Sequence, residues 1–286
     1  MAGWLYVQVR PNIGTVSGGA FVYGPGAWGA WEQPYYAYQQ FQAVPDPFDL
    51  RDVTFPNGVS VRCLESGQSY DLGYRFRDHT EFTAALHFEG LTAPVPHLVG
   101  APPFVGGSSH FDQHGRVTGE LQLLGETIPV DCIAVRDRSW GRRPEHVGRS
   151  GGRLSYVFGS TSDDEAFLVF CRPDGSGEDR EQLSTGYLLR DGSLQRLASA
   201  TRINHRDAVT GGIDELIIQA TDEAGRRLHV SGTAMSRFAL VTNHLCVNTF
   251  LRFDVDGRVG HGEDQDVWAI GEFADHLKLL SAAAVR

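Results

Sequence analysis

Apolar and polar positions alternate along most of this chain with a period of two, the mark of strands that bury one face. Residues 3–10 (Gly-Trp-Leu-Tyr-Val-Gln-Val-Arg) alternate and are stopped by Pro11-Asn12. Residues 19–23 read as a second strand. From Leu50 the pattern is strand, turn, strand, with Asn57-Gly58 a strong hairpin signal between 53–55 and 59–61. Residues 70–76 and 82–88 alternate again. Residues 117–123 face 128–135 across a short turn at Gly125-Glu126.

The second half repeats the style without repeating residues. Strand-like runs at 154–158, 166–171, 186–189, 197–203, 215–220, 228–231, 248–255 and 266–270 are separated by turns such as Asp191-Gly192, Ala224-Gly225 and Asp256-Gly257. Only 273–284 has helical character. Many short strands at regular spacing, with very little helix, predict an all-β chain of antiparallel barrels or sandwiches.

The chain has 286 residues, enough for two cores. The polar, basic, Gly-rich stretch 142–152 is the expected boundary, giving an N-terminal β-domain at 1–143 and a C-terminal one at 144–286. Strand-like sequence starts at Trp4 with no lead-in, so the first strands of the N-terminal domain are expected to be missing.

Composition narrows the function. Apolar content of 41% and charged content of 21% are those of an ordinary globular protein. A net charge of -10 and the lack of a basic stripe argue against nucleic acid or an anionic membrane as partner. Cys63, Cys132, Cys171 and Cys246 each lie in an apolar run with no Cys-x-x-Cys spacing, which reads as buried free thiols in a reducing compartment. Without a signal peptide or an apolar run of membrane-spanning length, a soluble cytoplasmic protein is expected. Oligomeric state is left open.

Candidate chemistry gathers in residues 128–143. A β-branched strand, 128–135, gives way to Arg136, Asp137, Arg138, Ser139, Trp140 and Gly141. Alternation puts Asp137 on the face of Ile133 and Val135. If that face lines an apolar cavity, desolvation favours a protonated carboxyl able to donate a proton. The competing reading is a corner in which Asp137 pairs with Arg136 or Arg142. His110 and His114, with Asp112 between them, share one strand face, but no third ligand is indicated and no metal is expected. His261, Glu263, Asp264 and Asp266 form a second polar cluster, read as a solvated acidic turn without calcium-loop spacing. Trp28 and Trp31 sit in a Gly/Pro-rich loop, followed by Tyr35 and Tyr36. Phe104 lies in a long Pro/Gly-rich connection that could cover a cavity.

Arg-Asp-Arg-Ser-Trp-Gly at 136–141, after a hairpin carrying Cys132, resembles the Asp-His-x-Trp-Gly type of signature of AttH-like and carotenoid 1,2-hydratase-like proteins. Residues 262–268 resemble the end of their second barrel. Arg138 stands where that signature usually has His. The resemblance implies two consecutive lipocalin-like (calyx) β-domains with an apolar cavity. It also implies cofactor-independent hydration, dehydration, cyclisation or isomerisation of a terpenoid- or polyene-like substrate. On that footing Asp137 is the proton donor, His110 the base and Trp140 a cation-stabilising ring. Trp28, Trp31, Tyr35, Tyr36, Phe104, Phe111, Tyr156 and Trp268 would hold the apolar substrate. The alternative is a carrier that binds an apolar small molecule unchanged.

Overall fold

In the computed structural model the alternating runs are strands. The described residues are 1–76, 82–97, 108–141, 153–176, 179–242 and 244–284. They form two compact units. Unit 1 comprises Met1–Val95 and Gln113–Arg136, and unit 2 comprises Pro96–Asp112 and Asp137–Arg286. Stretch 142–152, where the sequence suggests a boundary, lies outside the described residues.

Unit 1 is built from two antiparallel sheets. Strands β1 (Ala2–Arg10), β2 (Thr15–Tyr23) and β3 (Tyr35–Ala43) form the first, in that order. The second uses β4 (Asp52–Thr54), β5 (Val59–Glu65), β6 (Ser69–Arg75), β7 (Phe82–Gly90), β8 (Val95–Pro96), β9 (Ser108–Leu123) and β10 (Glu126–Gly141). Its order is β10-β9-β7-β6-β5-β4, with β8 beside β9. One face of each sheet supplies the core: Ala20, Val22, Tyr35 and Ala37 meet Val59, Tyr74, Phe82, Ala84 and Leu123. The Tyr35 hydroxyl lies 2.8 Å from that of Tyr74, which satisfies both polar tips inside the core.

Unit 2 is centred on a closed antiparallel barrel of β11 (Leu154–Ser162), β12 (Glu165–Pro173), β13 (Arg180–Arg190), β14 (Ser193–Arg206), β15 (Ile213–Asp222), β16 (Arg227–Val241), β17 (Leu245–Val255) and β18 (Arg258–Trp268). Each strand pairs with the next, and β18 closes onto β11. Helix α1 (Ile270–Ala284) follows. Closure leaves no strand edge exposed in the barrel wall. Two-residue turns with paired positive φ, Asp191-Gly192 (53° and 69°) and Asp256-Gly257 (49° and 86°), match the twist of the strands they join.

The barrel interior differs from an apolar hollow. Val157, Phe167, Val169, Leu188, Leu216, Ile218, Val230, Leu251, Phe253 and Val255 are each 0% exposed, so no water-sized void adjoins them. Elsewhere inside the barrel is an ionic network. Arg153 Nε donates to Asp266 (2.8 Å) and Arg153 Nη1 to Asp179 (2.5 Å); Arg153 also pairs with Glu181. Arg202 donates through Nη1 to Asp264 at 2.6 Å, and Arg206 pairs with Asp179 and, at 2.7 Å, Asp266. The acidic stretch around 264 is therefore not a solvated turn. It is strand β18, and alternation carries Asp264 and Asp266 inward to arginines from β11's approach and β14. Opposing charge pushes Asp266 far below the usual carboxylate range despite burial. Burial, only partly offset by Arg202, raises Asp264 to about 6.

Two further expectations change. The strand expected to end at 135 continues to Gly141, and its hairpin turns at Leu124-Gly125 (φ 53° and 86°), one residue earlier than read. Of the four thiols only Cys171 is buried, and Cys132 is exposed. No helix among the described residues is long and apolar enough to cross a membrane.

Candidate functional site

Because β10 stays extended to Gly141, alternation keeps Asp137 and Ser139 on one face and Arg138 and Trp140 on the other. The same rule applied to β9 separates His110 and Asp112 from Phe111. Unit 2 brings the first set together. His110 Nδ1 lies 2.6 Å from Ser139 Oγ and 3.4 Å from Asp137 Oδ1. His110 Nε2 lies 2.9 Å from Asp112 Oδ2, and His97 Nε2 lies 2.5 Å from the same oxygen. The Tyr156 hydroxyl donates to the other oxygen, Oδ1, at 2.7 Å. Phe170 packs its ring beneath both imidazoles and against Tyr156, with centroids 4.5 to 5.8 Å apart.

The burial is graded. Asp112 is 0% exposed and His110 only 4%, whereas the Asp137 side chain is 46% exposed and Ser139 is exposed. Burial alone would raise the Asp112 carboxyl. The hydrogen bonds and charges of His110 and His97 outweigh that and hold it below the usual range, so it is an anion. An anion accepts only. Both imidazoles therefore donate Nε2–H to it, and in neutral His110 the lone pair sits on Nδ1, facing Ser139 and Asp137. Burial, then the Asp112 and Asp137 charges, push the Tyr156 phenol well above its usual range, so it stays protonated and donates.

His97, His110 and Asp112 are also the residue types that hold a divalent metal, with ligand atoms within 4.8 Å of one another. A tetrahedral metal at about 2.0–2.2 Å from each would hold those atoms roughly 3.2 Å or more apart. The 2.5 and 2.9 Å separations found are hydrogen bonds instead. His114 is not one of this group.

The sequence-derived candidates thus divide. His110, Asp137 and Tyr156 belong to one cluster. Trp140 does not share their face. It is 49% exposed, with its ring edge-on to Phe111 at 5.8 Å and Arg138 6.0 Å above it. Trp268 is buried at the ionic part of the barrel, under Arg153 (4.7 Å) and Arg206 (5.5 Å). In unit 1, Tyr35 is core and Tyr36 packs on Phe21 at 4.8 Å, while Trp28 and Trp31 are 46% and 88% exposed. Phe104 lies outside the described residues. Arg136 donates to Gln113 Oε1 at 2.9 Å and lies 4.3 Å over the Tyr70 ring. The sequence singles out His110 but assigns no chemical role to His97, Asp112 or Ser139. The signal for Asp112 and Ser139 was the strand alternation itself. For His97, joined to this cluster only through the fold, there was none.

An eight-stranded closed barrel in one unit and antiparallel sheets in the other, with a buried histidine–carboxylate cluster, define the class: an all-β, lipocalin-like protein. Within that class the chain belongs to the family described as "Domain of unknown function (DUF7064)", matched over residues 1–264. No curated protein matches it. Among solved structures it is similar to a protein of Nitrosomonas europaea provisionally named AttH. Identity is 16% over 92% of this chain and 79% of that one, with a TM-score of 0.54. It is also similar to kievitone hydratase from Nectria haematococca, at 12% identity over 93% and 87% of the two chains, TM-score 0.47. The first likeness establishes a shared fold.

Proposed function

We propose that this protein is a cofactor-independent acid–base enzyme of the hydro-lyase or isomerase kind, acting on an apolar small molecule of terpenoid or polyene character. One observation carries the reading. His110 is fixed from its buried side by Asp112, while its second nitrogen faces the exposed edge beside Asp137. A proton can be exchanged with a substrate only at such an edge, and a base works best when its far nitrogen is locked in one tautomer.

In this reading His110 and Asp137 share the proton that is delivered to, or taken from, a carbon or hydroxyl of the substrate. Asp137 is half exposed, so the role first given to it, a desolvated neutral acid, passes to the His110 imidazolium between two carboxylates. Tyr156 and His97 hold Asp112 and so orient His110. Phe111 and Trp140 lie on the opposite face of the same strand pair, away from the reacting atoms.

The test is incubation with alkene-bearing terpenoids and polyenes in ¹⁸O-labelled water, followed by mass analysis. A product labelled by one oxygen, or an isomer of unchanged mass, is expected from the native chain. Asp137→Asn and His110→Gln should lose turnover, and Asp137→Asn should keep its melting temperature. Saturable binding with no chemical change would replace the enzyme reading with a carrier.

A further inference from the structure

We infer that Ser139, His110 and Asp112 form a nucleophile–base–orienter relay, giving this site a second capability: cleavage of small acyl esters through a covalent serine ester. It shares His110 with the proton-transfer reading but does not depend on it, because its nucleophile, Ser139, has no part in that reading.

Three requirements of such a relay are met. The nucleophile must be reachable, and Ser139 is exposed near the C-terminal end of strand β10, not in a loop. Its base must be within hydrogen-bond reach, and Ser139 Oγ is 2.6 Å from His110 Nδ1. The base must itself be oriented by a buried anion, and Asp112 Oδ2 is 2.9 Å from His110 Nε2 at 0% exposure. The tautomer then follows from Asp112. His110 gives its Nε2–H to the carboxylate and presents a lone pair to the Ser139 hydroxyl. The remaining contacts of Asp112, His97 Nε2–H and the Tyr156 hydroxyl, keep the carboxylate from rotating. Asp137, 3.4 Å from His110 Nδ1, adds a second anion beside the imidazolium formed when the proton transfers.

The step balances without any further reagent. The Ser139 Oγ–H proton passes to His110 Nδ1 as Oγ bonds to the ester carbonyl carbon, whose π pair moves to oxygen. When that pair returns, the bond to the alcohol oxygen breaks and the departing alcohol takes the proton from His110. The acyl group is left on Ser139. Water then repeats the sequence, giving its proton to His110 and releasing the carboxylic acid and free Ser139.

The full chain is treated with a fluorophosphonate probe, and adducts are located by intact mass and peptide mapping. In parallel, 4-nitrophenyl acetate turnover is followed. One adduct per chain on Ser139 is expected, together with an acetyl adduct trapped during turnover. Both should be lost in Ser139→Ala, whose exposed position lets the variant fold. Asp112→Asn, where folded by circular dichroism, should label at least about 100-fold more slowly. Folded native protein that takes no probe, takes it elsewhere, or hydrolyses the ester no faster than Ser139→Ala overturns the inference. None of these results bears on the ¹⁸O-water test of proton transfer, so the two readings fail separately.

Discussion

Asp112→Asn probes the whole cluster with a change of one atom. Asp112 is 0% exposed and accepts three hydrogen bonds, from His97, His110 and Tyr156. As an anion each bond is charge-assisted, contributing about 1.5–3 kcal/mol against about 0.5–1.5 for a neutral one. Neutralising the acceptor should therefore cost roughly 1 kcal/mol per bond, about 3 kcal/mol in all. The amide NH2 can be tolerated only toward Tyr156, whose oxygen can accept, or toward an imidazole that changes tautomer. For a domain of this size that cost is a fall in melting temperature of about 6–12 °C. The pH dependence gives a second handle. The Asp112 carboxyl is held below its ordinary value, so its contribution is present above the unfolded-state value and is lost as pH falls through the folded one. The stability gap between native and variant protein should be full at pH 7 and should shrink once pH drops below about 4. Thermal and urea unfolding from pH 3 to 7 measure both effects. A melting temperature within about 2 °C of native at pH 7, with a gap that does not narrow in acid, would refute the buried three-donor anion.

Further outcomes follow from the barrel and the loops. Arg202→Met takes from Asp264 the buried cation it pairs with, while Glu181 keeps Arg153, and should cost about 3–5 kcal/mol in urea unfolding, most of it regained in Arg202→Met/Asp264→Leu; equal loss in both would show that the pair is not the cause. Asp264, raised from 3.8 to about 6, binds its proton more tightly in the folded state. Its contribution is present below pH 4 and lost as pH rises through 6, so native protein should lose stability relative to Asp264→Asn over that window, and parallel pH curves would contradict it. Trp31→Ala, at an 88% exposed site, should change unfolding free energy by less than about 0.5 kcal/mol, and a loss above 1 kcal/mol would mean the ring is packed.

Alternation of apolar and polar residues was enough to determine the all-β class, nearly every strand, the terminal helix and turns such as Asp191-Gly192, because these depend on near neighbours in sequence. It also held the key to the cluster. Once β10 is extended through Gly141, Asp137 and Ser139 must share a face that Trp140 cannot. What the local pattern could not supply was the partner across the sheet. Asp264 and Asp266 read as a solvated turn because nothing near them in sequence shows Arg153, Arg202 and Arg206 facing them across a barrel. Asp112 read as a spacer between two histidines because His97 and Tyr156, 15 and 44 residues away, meet it only in the folded chain. The charge state of a carboxylate is set by burial and by donors brought from distant strands, and both are properties of the tertiary structure.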